Sequence, residues 1–179
     1  GLDLYLQLLH EAIEERQKGV VPEKPKPEVL FSIDAYIPKD YAIASDKIEL
    51  YQDLENTKTE ADVAQVAAHM RDVYGKLPEP VELLLWQRRI SILSHSEEFY
   101  RLEQGDGYVD LLLSDAFTNQ PHIALDLYNA MIPYLKEIRV NFVEKRIHVR
   151  LLTKDRKNWI HDLYQIMKAI HSLARSAKA

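Results

Sequence analysis

The sequence contains no cysteine. Disulfides, Cys-ligated zinc, iron–sulfur clusters and thiol catalysis are therefore excluded. Glycine is scarce, with five residues at 1, 19, 75, 105 and 107. None stands in a G-x-x-x-x-G-K-[ST] frame, so ATP hydrolysis by this chain alone is not expected. No apolar run approaches the roughly 18 residues of a membrane-spanning helix. The chain starts at Gly1 without methionine and shows no charged, then apolar, then small-residue leader. We therefore expect it to be a piece of a longer protein. Eight prolines and five glycines are too few for repeats, collagen or flexible linkers.

What is present suits a folded domain. Of 179 residues, 46% are hydrophobic and 28% charged, enough for a core and too apolar for wholesale disorder. The length allows one domain with at most a small appendage. The net charge of −5 is unevenly spread. Residues 136–179 hold 11 Lys/Arg against 4 Asp/Glu, and residues 1–135 hold 12 against 24. An acidic body carries a basic end, which suggests two different neighbours or one half neutralising the other.

The hydrophobic spacing predicts an amphipathic helix over 2–17, carried by Leu2, Tyr5, Leu6, Leu9 and Ile13. Pro22, Pro25 and Pro27 make the following stretch an extended connector. Val29, Phe31, Ile33 and Ala35 alternate with polar residues, which predicts a short strand over 29–35. Three helices follow. Ser45 or Asp46 can cap the first, with Ile48, Tyr51 and Leu54 inward. Thr59-Glu60-Ala61-Asp62 opens the second as a capping box, and Gly75 with Pro78 ends it. The third covers about 79–94, with Leu83, Leu84, Trp86, Ile90 and Leu93 on its apolar side. Hairpins are predicted over 99–113, around Gln104-Gly105-Asp106-Gly107, and over 138–152, around 143–145. A helix over 122–131 lies between them, and Asp155 caps a long basic helix to Ala174. Helices and hairpins come in blocks, so the expected class is α+β, with short antiparallel hairpins in a single compact domain. The expected boundaries are a linking helix and proline-rich connector over 1–28 and an α+β domain over 29–179.

Few residues offer chemistry. Gly105-Asp106-Gly107 sits between strands and reads as a turn, not a dinucleotide fingerprint. The histidines, at 10, 69, 95, 122, 148, 161 and 171, include no i, i+4 pair that could share a metal from one helix face. His161 and His171 lie roughly 80° and about 15 Å apart on one helix. Ser94-His95-Ser96 reads as a surface helix end, since neighbours on a helix point apart. Glu97-Glu98 reads as a solvated pair. Lys154, Arg156, Lys157, Lys168, Arg175 and Lys178, near Trp159 and Tyr164, offer an alternative reading as a nucleic-acid-binding helix. Against it, Trp159, Leu163, Ile166, Met167, Ile170 and Leu173 recur at core spacing.

The helix from Thr59 to Tyr74 is the most informative element. Val63, Val66, Ala67, Met70 and Tyr74 fall within about 80° of one another and form its buried stripe. Asp62, Gln65, His69 and Asp72 occupy the opposite face. Read generically they are a solvated stripe. They are also a rigid, acid-leaning ridge that can dock on an arginine-bearing partner.

An ordered set of motifs runs through the same region. It comprises Ile37-Pro38-Lys39-Asp40-Tyr41, Lys47-Ile48-Glu49-Leu50-Tyr51, Thr59-Glu60-Ala61-Asp62-Val63 and Asp72-Val73-Tyr74-Gly75-Lys76-Leu77-Pro78-Glu79-Pro80-Val81. In this order and at these separations the set resembles the C-terminal domain of bacterial transcription-repair coupling factors. Gly1 to Leu9 resembles the segment that leaves the motor of such proteins. The resemblance implies a cytoplasmic bacterial parent that is an ATP-driven double-stranded DNA translocase acting on stalled RNA polymerase. It implies that ATP and Mg belong to motor domains upstream and that this domain has no catalytic task, no cofactor and no membrane contact. It further implies an intramolecular clasp onto the N-terminal domain, which masks the surface for the damage-recognition ATPase UvrA. The fragment is expected to be monomeric. In the family the clasp uses a Glu and an Asp three residues apart. Those positions are His69 and Asp72 here, so only the second acid is kept, and the Arg that follows it is replaced by Val73.

Overall fold

The computed structural model describes residues 31–178. The expected helix over 2–17, the connector and residues 29–30 of the expected strand lie outside the described residues. Three helices come first: α1 (Ala44–Glu55), α2 (Glu60–Tyr74) and α3 (Glu79–Leu93). Then come β1 (Phe99–Gly105), β2 (Tyr108–Leu113), α4 (Asp115–Thr118), α5 (Ile123–Met131) with a 3₁₀ turn at Ile132–Tyr134, β3 (Ile138–Val143), β4 (Arg146–Leu152) and α6 (Trp159–Lys178). The class is α+β. All strand pairs are antiparallel, and the sheet order is β1-β2-β4-β3. Two hairpins are thus joined side by side through β2 and β4.

Two cores divide the interior. The sheet-side core packs Phe99, Leu111, Leu113, Val149 and Leu151 against Leu127 and Met131 of α5 and Leu163, Ile166, Met167 and Ile170 of α6. The helical core holds Leu50 and Leu54 of α1, Val63, Ala67 and Met70 of α2, and Val81 and Leu85 of α3. α3 walls both. Leu83, Trp86, Ile90 and Leu93, spaced three, four and three, face the sheet core, while Val81, Leu84, Leu85 and Ile92 face the helical one. A helix buried on two sides carries two apolar stripes, and the sequence reading had placed Leu84 on the wrong one.

Local chemistry explains most boundaries. The Thr59 hydroxyl accepts from the Asp62 amide, and the Asp62 carboxylate accepts from the Thr59 amide, so the capping box forms as expected. Gly75 ends α2 at φ 83, a conformation costly for any residue with a Cβ. Asp106-Gly107 turns the first hairpin, with Gly107 at φ 81. Glu144 and Lys145, at φ 51 and 68, make a two-residue turn in the second.

Three sequence expectations are corrected. Residues 31–35 are not a strand, because their backbone bonds to itself over two residues. Ile33 N–H donates to Phe31 C=O (3.0 Å) and Ala35 N–H to Ile33 C=O (2.9 Å). The alternation instead lets Phe31 meet Trp159 edge-on, at 5.6 Å between ring centroids. α1 begins at Ala44 after Ile43, with no side-chain cap from Ser45 or Asp46. Its buried pair is Leu50 and Leu54, while Ile48 is 59% exposed. The Tyr51 hydroxyl stays near the surface and accepts from the Ile37 amide at 2.8 Å. α6 begins at Trp159, because Asp155 sits at φ 59 in the preceding turn and cannot be its cap.

Candidate interdomain docking face

α2 is fastened at both ends. At its start, the Tyr164 hydroxyl of α6 donates to Glu60 Oε1, and Lys168 Nζ donates to Glu60 Oε2 (3.1 Å). At its end, the Tyr74 ring lies 4.8 Å from the Tyr41 ring, and its hydroxyl donates to Asp46 Oδ2 (3.4 Å). Val63, Ala67 and Met70 anchor the middle. The outward face is therefore presented by a helix that is held in place.

Burial, together with the Glu60 carboxylate, pushes the Tyr164 phenol up to about 12. The folded state keeps this proton between pH 10 and about 12 while the unfolded chain loses it. The stabilisation is complete below pH 10 and is lost as pH rises through about 12. Urea midpoints of the wild type are expected to fall over that range more steeply than those of Tyr164→Phe. Parallel curves would show that Tyr164 does not carry the effect.

Gln65, His69 and Asp72 are exposed, and Asp62 is partly exposed. The spacing of three, four and three places all four along one side of α2. Asp62 differs from the others. Its Oδ2 accepts from the amides of Lys58 (2.9 Å) and Thr59 (3.1 Å). These bonds hold its carboxyl below the usual carboxylate range. One of its oxygens is thus committed to the cap. Asp62, Gln65 and His69 line an open groove together with Val66 and with Asp53, Asn56 and Thr57 at the end of α1. Asp72 lies one turn further along, outside that lining, next to Val73, which is 56% exposed. Asp53 and Asn56 were not anticipated, because they join the face only through the packing of α1 against α2. One signal for them exists in the sequence. Residues 44–74 hold seven Asp/Glu against three Lys/Arg, and no basic residue covers the carbonyl end of α1.

The other candidates resolve differently. Glu98 is not solvated but 4% exposed. Ser96 Oγ donates to its Oε2 (2.8 Å), and His171 Nδ1 lies 2.6 Å from its Oε1. Ser96 Oγ is 3.1 Å from the same ring nitrogen. A nucleophile relay needs the hydroxyl and the carboxylate on opposite ring nitrogens, so this cluster ties α6 to the start of β1 and does not assemble a triad. Ser94 is buried too, its hydroxyl donating to Ser91 C=O (2.6 Å), which corrects the surface reading of that helix end. On α6 and its approach, Arg156 pairs with Asp162, and Lys168 with Glu60. Trp159 packs on Phe31, and Tyr164 on Trp86 at 5.1 Å. Both aromatics are therefore engaged inside the fold. Among the described residues, no group of three or more His, Cys, Asp or Glu is placed to hold a metal ion. No described helix is long and apolar enough to cross a membrane.

The TRCF domain model matches residues 31–124, more than half of the chain. The chain belongs to the TRCF domain family. It is 28% identical over 173 residues to the transcription-repair-coupling factor of Staphylococcus haemolyticus, covering 95% of this chain and 14% of the relative. Identity to that of Bacillus subtilis is 25% over 179 residues, covering 98% and 15%. The chain thus spans about a seventh of the length of these curated relatives. A crystal structure of the C-terminal domain of a transcription-repair coupling factor superposes with a TM-score of 0.69 at 17% identity, covering 88% of this chain and 99% of that one. The TRCF fold is therefore shared along nearly all of the solved domain, and the α+β reading of the sequence holds.

Proposed function

We propose that this chain is the C-terminal regulatory domain of a transcription-repair coupling factor, a bacterial cytoplasmic DNA translocase, and that it represses its parent by an intramolecular clasp. Residues 1–28 connect it to the motor, which binds ATP and Mg, while this domain performs no catalysis. The observation that carries the reading is the outward side of α2: Gln65, His69 and Asp72 are exposed on a helix pinned at both ends. The acid-rich α1–α2 surface favours a cationic counterpart on the parent's N-terminal domain. Masking of this kind is a coupling free energy between the clasp and the covered site. Because the two domains share one chain, effective concentration lets a modest contact keep the site closed. The covered site is the one for UvrA, and engagement of RNA polymerase and DNA by the motor releases it.

Reversing Asp72 to Lys in the full-length parent removes one attraction and adds a repulsion. Capture of UvrA by the free parent is expected to rise roughly 5- to 30-fold, corresponding to about 1–2 kcal/mol. Capture equal to that of the wild type would remove Asp72 from the mechanism.

A further inference from the structure

The two edges of the sheet are unlike. On β1 the register shifts between Phe99 and Arg101, and the strand carries Arg101 and Glu103. A bulge and charges are how sheets guard an open edge. β3 is regular over six residues, with no bulge and with five of the six exposed. Its Val140, Phe142 and Val143 are 48%, 67% and 43% exposed. Beside it, α5 and the 3₁₀ turn leave Leu125, Tyr128, Ile132 and Leu135 exposed as well. Of the twelve large apolar side chains exposed among the described residues, four, Tyr128, Leu135, Val140 and Phe142, meet in one groove at this edge. Leu127, Tyr128, Met131, Leu135, Val140 and Phe142 line an apolar groove there. A contiguous patch of this kind marks an interaction surface.

The backbone of the edge also faces away from β4 at alternate residues, with the Ile138 C=O accepting from its neighbour's side chain, Arg139 Nη1 (2.7 Å). Leu152 N–H donates to Glu137 C=O (2.8 Å), which makes this a hydrogen-bonded pair in the β3–β4 register. The bonding alternates along an antiparallel ladder. Arg139, Asn141 and Val143 therefore bond to β4, while Ile138, Val140 and Phe142 turn their N–H and C=O groups outward.

We propose that β3 pairs antiparallel with β3 of a second copy of this chain, extending the sheet across a two-fold axis. The edge is complementary to itself in one register. With Val140 opposite Val140 of the second copy, Ile138 faces Phe142 and Arg139 faces Asn141. The outward-turned residues then meet as three pairs, exchanging about six main-chain hydrogen bonds. Phe142 of each copy covers the groove of the other near Leu135, and the neutral Asn141 lies opposite the charged Arg139. A slip by two residues one way sets Arg139 against Arg139, a repulsive pair. A slip the other way sets Ile138 against the Glu144 turn. A two-fold contact that buries the same patch on both copies is the commonest form of homodimer. The pairing departs from the monomer expected from sequence and does not rest on the clasp.

The test is sedimentation of the 179-residue chain from about 1 to 200 μM, with Val140→Lys and Val140→Glu variants. The wild type is expected to shift with concentration from 20.8 kDa toward twice that mass. Each variant places like charges at the axis and is expected to weaken self-association more than about tenfold. An equimolar mixture of the two is expected to restore the dimer, because Val140 faces itself only in this register. Val140 is 48% exposed, so circular dichroism should show both variants folded. A wild type that stays monomeric throughout, variants that still dimerise, or a mixture that fails to recover would each overturn the pairing.

Discussion

Replacing Ile90 by alanine is expected to lower the free energy of unfolding by about 2–5 kcal/mol, the usual range for truncating a large aliphatic core residue. Ile90 is fully buried on the sheet-facing stripe of α3. The opposite side of the same helix walls the helical core through Val81 and Leu85. Damage at Ile90 should therefore reach both layers. Trp86 on α3 and Trp159 at the start of α6 supply fluorescence from the sheet side, and far-ultraviolet circular dichroism reads the helices. In urea the two signals are expected to move together to a lower midpoint. Separate transitions, with the part of the helical signal due to α1 and α2 left at the wild-type midpoint, would mean that α3 does not couple the cores.

Asp110→Ala should be the most costly polar substitution in the sheet, at about 1.5–3 kcal/mol for lost hydrogen bonds to a charged group. Asp110 is 8% exposed and sits directly opposite Arg150 in the β2–β4 register. Its two oxygens accept from Arg150 Nε (2.8 Å) and Nη2 (2.9 Å). The guanidinium also lies over the Tyr108 ring, 3.8 Å from its centroid. The Arg150 side chain is 42% exposed, so part of its charge stays in water and the cost sits at the lower end of that range. Asp110→Asn keeps a matching shape and should cost less. Amide exchange should show β2 and β4 losing protection along their shared seam. An alanine variant within 0.5 kcal/mol of the wild type would show that the fork is ornamental to stability.

Where one residue type dictates a local conformation, the fold was legible in the sequence. Thr59 and Asp62 announced the start of α2, Gly75 its end, and Asp106-Gly107 the first hairpin. Features that depend on distant partners were not. Glu98 looked like a solvated acid because its partner His171 lies 73 residues away. The 31–35 segment has the alternation of a strand, yet it joins no ladder of the four-stranded sheet, and its amides turn back on their own carbonyls or find the side chain of Gln104 on β1. α4 spans only Asp115–Thr118 and starts when the Ser114 hydroxyl accepts from the Phe117 amide, too short a run for periodicity to register. For the docking face, helical spacing marked out the exposed residues of α2. It could not supply Asp53 and Asn56, which depend on how α1 lies beside α2.

Because each hairpin closes over only two residues, 106–107 and 144–145, both can form in about 1–10 μs without help from the rest of the chain. The β2–β4 seam is different, since it joins strands separated by α4, α5 and the whole of β3. Closing that longer loop costs entropy before any contact rewards it. Assembly of the sheet thus has two fast local events and one slow zippering event, and the speed at which this domain matures is set where the hairpins meet.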